Sequence, residues 1–242
     1  MNIGKSFSFP FEDRQWISKL GLGAVITMIP ILNFAWTGYM VDLLRNVMDN
    51  KAEPLPNWDD IGKKFTDGLM VAVAGFIYAL PILVVFCLPL SFMIVPAILA
   101  GDSDFQGIAN AIAGLGSLLL VCLSCVFAVY ALFLSVIFPA ILIIYAREGT
   151  LASCFKFRDA IDLVRQNSSP FLTAWGMSIL ANIAVGFIVS AAQLVLNIIP
   201  CVGQLASLIL TVGVVVYATS VYAHLFGQFG NMAFGGNQPS QS

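Results

Sequence analysis

Charge is missing from most of this chain, and the gaps are long. No Asp, Glu, Lys or Arg occurs in 20–41, 68–101, 105–146 or 166–242. Each block reaches the roughly 20 residues that an apolar helix needs to cross a hydrocarbon core of about 30 Å. A helix in a water-soluble protein keeps one polar face, and these blocks have no charged one. Composition agrees: 10% of residues are charged, against roughly 25% in an ordinary soluble domain. The pattern predicts an all-α, polytopic transmembrane helical bundle in the cytoplasmic membrane. The net charge of −2 offers no basic face for nucleic acid. The expected surroundings are the lipid bilayer, with a membrane-protein partner or a second copy of the chain as protein contacts.

Three regions follow from the charge pattern. Residues 1–19 are polar and aromatic, and Phe11 and Trp16 suit the headgroup level of a bilayer. Residues 20–226 form a single transmembrane domain with apolar segments 20–44, 68–99, 108–146, 170–199 and 205–226. The tail 227–242, "GQFGNMAFGGNQPSQS", is rich in Gly, Asn and Ser and predicts disorder. Between the first two apolar segments, Pro54 and Pro56 mark a loop. A short surface helix is expected from Trp58, with Asp59 and Asp60 in its first turn. Pro81, Pro89 and Pro96 are expected to kink or end the second segment. Segment 147–169 reads as an amphipathic helix in the interface plane, with Leu151, Phe155, Ile161 and Val164 on its apolar face.

The 11 basic residues lie within 5–19, 45–64 and 147–165. The positive-inside rule places all three stretches, and with them both termini, in the cytoplasm. Segments 68–99 and 108–146 then make one hairpin around the acidic turn 101–107. Segments 170–199 and 205–226 make another around "IPCVGQ". Segment 20–44 keeps both flanks inside only if it turns back at Pro30, giving three hairpins. "MIPILN" (28–33) resembles "IIPCVGQ" (198–204), which favours that repeat. A single crossing would instead give five spans with the N-terminus outside.

Few residues suggest chemistry. Asp42 and Arg45 stand three apart at the end of the first block. They read as a helix-end ion pair or as a buried pair on a pathway. Asn182, Gln193, Asn197 and Gln204 put amides into the segment 170–199 and its turn. They suit interhelical hydrogen bonds or a polar pocket. Asn182-Gly186-Ser190 and Ala109-Ala113-Ser117 form small-residue stripes suited to close helix packing. Cys122 and Cys125 lack the second pair or nearby His that a metal site needs, so they read as packing residues. His224, the one histidine, has no carboxylate partner in the pattern. No catalytic residue, cofactor site or metal site is expected, and the chain reads as a non-enzymatic component. A small-solute or lipid transporter is the alternative.

Three stretches carry a resemblance. "FSFPFEDRQW", "IPILNFAWTGYMVDLLRNV" and "LPNWDDIGKKFTDGL" together resemble the prokaryotic membrane family catalogued as domain of unknown function 4013. The likeness rests on the "PFED-x-x-W" start, the "IP-x-x-N" break, the "GY…LRN" helix end and the "P-x-W-D-D" loop. It implies a polytopic prokaryotic membrane protein and transfers no catalytic residues.

Overall fold

Proline 30 cannot donate a backbone hydrogen bond, and its ring clashes with the preceding helical turn. The chain breaks there. In the computed structural model, which describes residues 1–99, 106–199 and 201–235, α2 (Trp16–Thr27) ends before the proline and α3 (Asn33–Met48) begins after it. The turn is closed by the Met28 and Ile29 amides, which donate to the Val25 and Ile26 carbonyls. As helices these arms measure about 18 and 24 Å, short of the ~30 Å core. One face of the arms packs on each other and on a later helix, α8. The other face leaves Val25, Met28, Ile29 and Ile31 exposed.

Helix α1 (Ile3–Glu12) precedes this pair, and the Asn2 side chain caps it by accepting from the Lys5 amide, as short polar side chains do at helix starts. After α3, the loop containing Pro54 and Pro56 leads to α4 (Ile61–Leu99). The short surface helix expected from Trp58 is not separate. Its turns belong to α4, which starts where Asp60 accepts from the Lys63 amide. Nor do Pro81, Pro89 and Pro96 end that helix, which continues to Leu99. Long apolar helices tolerate proline where neighbouring helices, Ser or Thr side chains and local adjustment re-satisfy the freed backbone groups.

Helix α5 (Gln106–Glu148) is unbroken through Pro139. Most of the expected acidic turn 101–107 lies outside the described residues. Segment 147–169 is not one helix. It forms a 3-10 turn, Leu151–Phe155, and then α6 (Phe157–Gln166). The inward face of α6 is Ala160 and Leu163, while Ile161 of the apolar set is exposed. Helices α7 (Ser168–Leu196) and α8 (Val202–Gly235) complete the chain. Among the described residues there is no strand, and four helices are long and apolar enough to cross a membrane: α5, α7, α8 and Ile61–Phe92 of α4.

The chain divides into two compact units. In the smaller, Val73–Phe138, parts of α4 and α5 lie side by side. Tyr130 donates to the Tyr78 carbonyl at 2.9 Å, and Phe86 meets Phe127 edge-on at 5.1 Å. The larger unit holds the remainder. Its hub is α8, which packs against α1, α2, α3 and α7. Phe171 of α7 meets Phe226 and Phe229 of α8, and Gln193 donates to Thr211 farther along, so the two run antiparallel.

The expected disorder of 227–242 is corrected over 227–235, which are helical, with Gly227, Phe229 and Gly230 buried. A Cβ at Gly227 would collide with Val47 of α3. This glycine therefore marks a close helix crossing, not a flexible tail. Residues 236–242 lie outside the described residues. The two expected small-residue stripes also differ from expectation. A methyl group added at Gly186 would meet nothing within 4 Å, and Gly114, beside the second stripe, is equally open.

The tightest crossing joins α3 to α4. A Cβ on Gly38 would overlap the Lys64 carbonyl, and one on Gly68 would overlap the Phe34 carbonyl. Backbone cannot yield as a flexible side chain can, so Gly38→Leu is expected to cost about 3 kcal/mol or more, the upper range for overpacking. Gly186→Ala should stay within about 0.5 kcal/mol. Denaturant unfolding in detergent checks both, and equal costs would contradict the crossing.

Candidate functional site

The crossing at Gly38 and Gly68 brings two short charge patterns together: Asp42 with Arg45 on α3, and Lys64 with Asp67 on α4. The Arg45 guanidinium is the centre. Its Nη1 lies 2.9 Å from Asp42 Oδ1 and 2.5 Å from Asp67 Oδ2. Its Nε donates to the Ala146 carbonyl at 2.8 Å. That carbonyl belongs to the last turn of α5, where backbone acceptors lack helical partners and favour a cation. Lys64 Nζ stands 3.1 Å from the other Asp42 oxygen. Tyr145 donates to Asp67 Oδ1 at 2.9 Å. Its ring also lies 5.9 Å from the guanidinium carbon, within range of a cation–π contact.

The side chains are 6–20% exposed, and two acids face two bases. Burial works against the charge on Arg45, but hydrogen bonds to Asp67 and Asp42 outweigh it and raise its pKa further. The cluster is thus electrically closed and nearly dry. The rigid guanidinium suits this arrangement, because Nη1 donates to the two carboxylates while Nε, fixed in the same plane, donates to the carbonyl.

A second buried pair anchors the start of the chain. Lys19 Nζ is 2.6 Å from Asp13 Oδ2 and also donates to the Leu55 carbonyl at 3.1 Å. The Trp58 indole donates to the Lys19 carbonyl. Tyr39 stacks on Trp58, at 4.6 Å, and on Trp36, at 5.2 Å, and the two indoles lie 6.4 Å from each other. Loop 49–60 is thereby pinned over α2 and α3. A third polar group joins α1 to α8. Ser6 Oγ lies 2.9 Å from His224 Nδ1, and Phe9 stacks on the imidazole at 4.2 Å. His224 therefore sits buried in the core.

Of the residues singled out in the sequence, Asp42 and Arg45 are paired. Lys64, Asp67 and Tyr145, their partners, were not anticipated. The signal available was the mirrored spacing: acid then base at 42 and 45, base then acid at 64 and 67. The four amides do not converge. Asn182 is exposed and donates back to its own helix at Ser178. Gln193 bridges α7 to α8 through Thr211 at 2.9 Å. Asn197 caps the end of α7, and Gln204 lies exposed on the first turn of α8. Cys122 and Cys125 are exposed free thiols. Among the described residues no group of three His, Cys, Asp or Glu side chains is placed to hold a metal.

Removing one member of a buried ion network strands the other charges, at roughly 3–5 kcal/mol. Arg45→Met is expected to destabilise by about 3 kcal/mol, and Arg45→Lys by at least about 1 kcal/mol. Thermal and denaturant melts of the two variants test this order. Acid should act on the other pair. Burial pushes the Asp13 carboxyl up, but hydrogen bonds from Lys19 and the Gln15 amide more than offset it, so its pKa lies below the ordinary 3.8. A depressed carboxylate contributes stability above its unfolded pKa and loses it as pH falls through the folded one. Stability followed downward from pH 5 should therefore fall less steeply in Asp13→Asn than in the native chain.

Against known proteins, no curated sequence and no solved structure matches this chain. The family described as "Protein of unknown function (DUF4013)" matches residues 22–194. Within that match lie the α3–α4 crossing, the Arg45 cluster and the pinned loop. These are the same stretches that carry the "GY…LRN" and "P-x-W-D-D" likeness. With most of its length covered, the chain belongs to the DUF4013 family.

Proposed function

We propose that this protein is a multi-pass component of a prokaryotic cytoplasmic membrane that works as a non-enzymatic structural or accessory element. One observation carries the reading. The buried charges are neutralised by one another at helix ends, in closed sets that hold helices together: Asp42, Arg45, Lys64 and Asp67 in one, Asp13 and Lys19 in the other. Ionisable groups that move a substrate or proton stand in the apolar stretches and face a pathway. The described apolar parts of α4, α5, α7 and α8 carry no Asp, Glu, Lys or Arg between 68 and 146 or beyond 166. Both termini on the cytoplasmic side fit the fold, since Asn2 of the first helix exchanges hydrogen bonds with Gln228 near the end of the last.

The second reading, a small-solute or lipid transporter, draws on Asn182 and Asn197, amides left exposed on α7 and at its C-terminal cap. Reconstitution into vesicles separates the two. The accessory reading expects no solute or lipid flux, whereas flux abolished by Asn182→Ala with Asn197→Ala would sink it. A stoichiometric membrane partner recovered from native membranes would weigh against a stand-alone transporter. For topology, single cysteines at Ser8 and Asn50, both exposed, are placed in a cysteine-free background. Neither should react with a membrane-impermeant reagent added to intact cells. Labelling at Ser8→Cys alone would restore the five-span arrangement.

A further inference from the structure

Where α1, α3 and α8 meet, the larger unit carries a cavity of about 310 Å³. Two lysines line it, Lys5 on α1 and Lys51 in the loop after α3, together with the amides of Asn2, Asn50 and Asn231. No carboxylate lines it. Neither lysine belongs to any ion pair found among the described residues. Both lysines are exposed, unlike the largely buried cations Lys19, Arg45 and Lys64, each of which is matched by an aspartate.

The carbonyls of the last turn of α3, which would repel an anion, are already occupied. The Met48 oxygen accepts from the Asn231 amide, and the Asn46 oxygen accepts from the Lys51 backbone. Lys51 Nζ gives one proton to the Asn46 side chain at 2.7 Å, which leaves an ammonium two more to donate. Asn50, at φ 55°, is the left-handed residue that ends α3, and the Lys51 amide closes this cap on the Asn46 carbonyl, which holds the loop at the cavity edge. Val47 supplies an apolar wall beside these donors.

We propose that this cavity binds a phosphate-type anion, held by the two ammonium groups and the surrounding amides. The anion reaches it either as the headgroup of a membrane lipid or as a soluble phosphate. The proposal stands apart from the choice between accessory and transport roles, because it concerns binding at the end of the helices and not passage between them.

The test uses the full chain in detergent micelles. Phosphatidylglycerol and diacylglycerol, which lacks the phosphate, are compared by native mass spectrometry, and inorganic phosphate is titrated by calorimetry. Phosphatidylglycerol is expected to bind and diacylglycerol not. Lys5→Gln with Lys51→Gln should weaken binding roughly 30-fold, from about a kilocalorie for each lysine near an anionic headgroup. Lys5→Arg with Lys51→Arg should keep it, which separates lost charge from lost fold. Lys63→Gln, an exposed lysine outside the cavity, should leave it unchanged. Binding of phosphatidylglycerol alone assigns a lipid source, binding of inorganic phosphate alone a soluble one, and binding of both supports the site with either. If neither binds, if diacylglycerol binds as well as phosphatidylglycerol, or if the double glutamine variant binds like the native chain, the proposal is overturned.

Discussion

A single guanidinium joins three helix ends in the larger unit. Arg45 reaches one carboxylate on its own helix, one on α4, and the orphan carbonyl at the end of α5. Each of those groups needs a partner in a region that largely excludes water, and Lys64 and Tyr145 complete the set around the two carboxylates. The arrangement depends on how closely α3 and α4 approach. Only two glycines facing backbone make that approach possible. Space and charge are thus coupled: without Gly38 and Gly68 the carboxylates would not share the arginine, and without the arginine the crossing would bury repelling groups.

The same logic organises the rest of the unit. The buried charges enter the interior as closed sets, while the Tyr39 hydroxyl is buried there without a hydrogen-bond partner. Asp13 and Lys19 hold the loop at Leu55, the Trp36–Tyr39–Trp58 stack covers it, and Ser6 with His224 docks the first helix on the last. The long helices need little of this. Their backbone bonds are internal and their side chains apolar, so they contribute length while the short helices contribute specificity.

What could be read from the sequence follows this division. The charge-free blocks indicated long helices because a run of apolar residues admits few other outcomes. The break at Pro30 was legible for a similar reason, since proline removes a donor whatever surrounds it. The charge cluster was half legible. Asp42 and Arg45 are local in sequence, but Lys64, Asp67 and Tyr145 come from two other helices, and periodicity does not say which faces meet. The small-residue stripes fail on the same point. Asn182-Gly186-Ser190 describes a smooth face, whereas the faces in contact are those of Gly38, Gly68 and Gly227. The segment after 226 misled because glycine and asparagine serve loops and tight crossings equally well. Only the neighbour, here Val47, distinguishes the two.

The position of α8 has a consequence for how the molecule is made. It lies far downstream of α1, α2 and α3 in the sequence, yet all three pack against it. Chains emerge from the N-terminus and their elements form in that order. The short hairpin around Pro30 is therefore complete long before the surface that covers it exists. Until α8 arrives, Trp36 lacks its Thr219 partner and the inner faces of the arms lack their cover. The arms around Pro30 are made well before the helix that buries them, and their packing waits on α8.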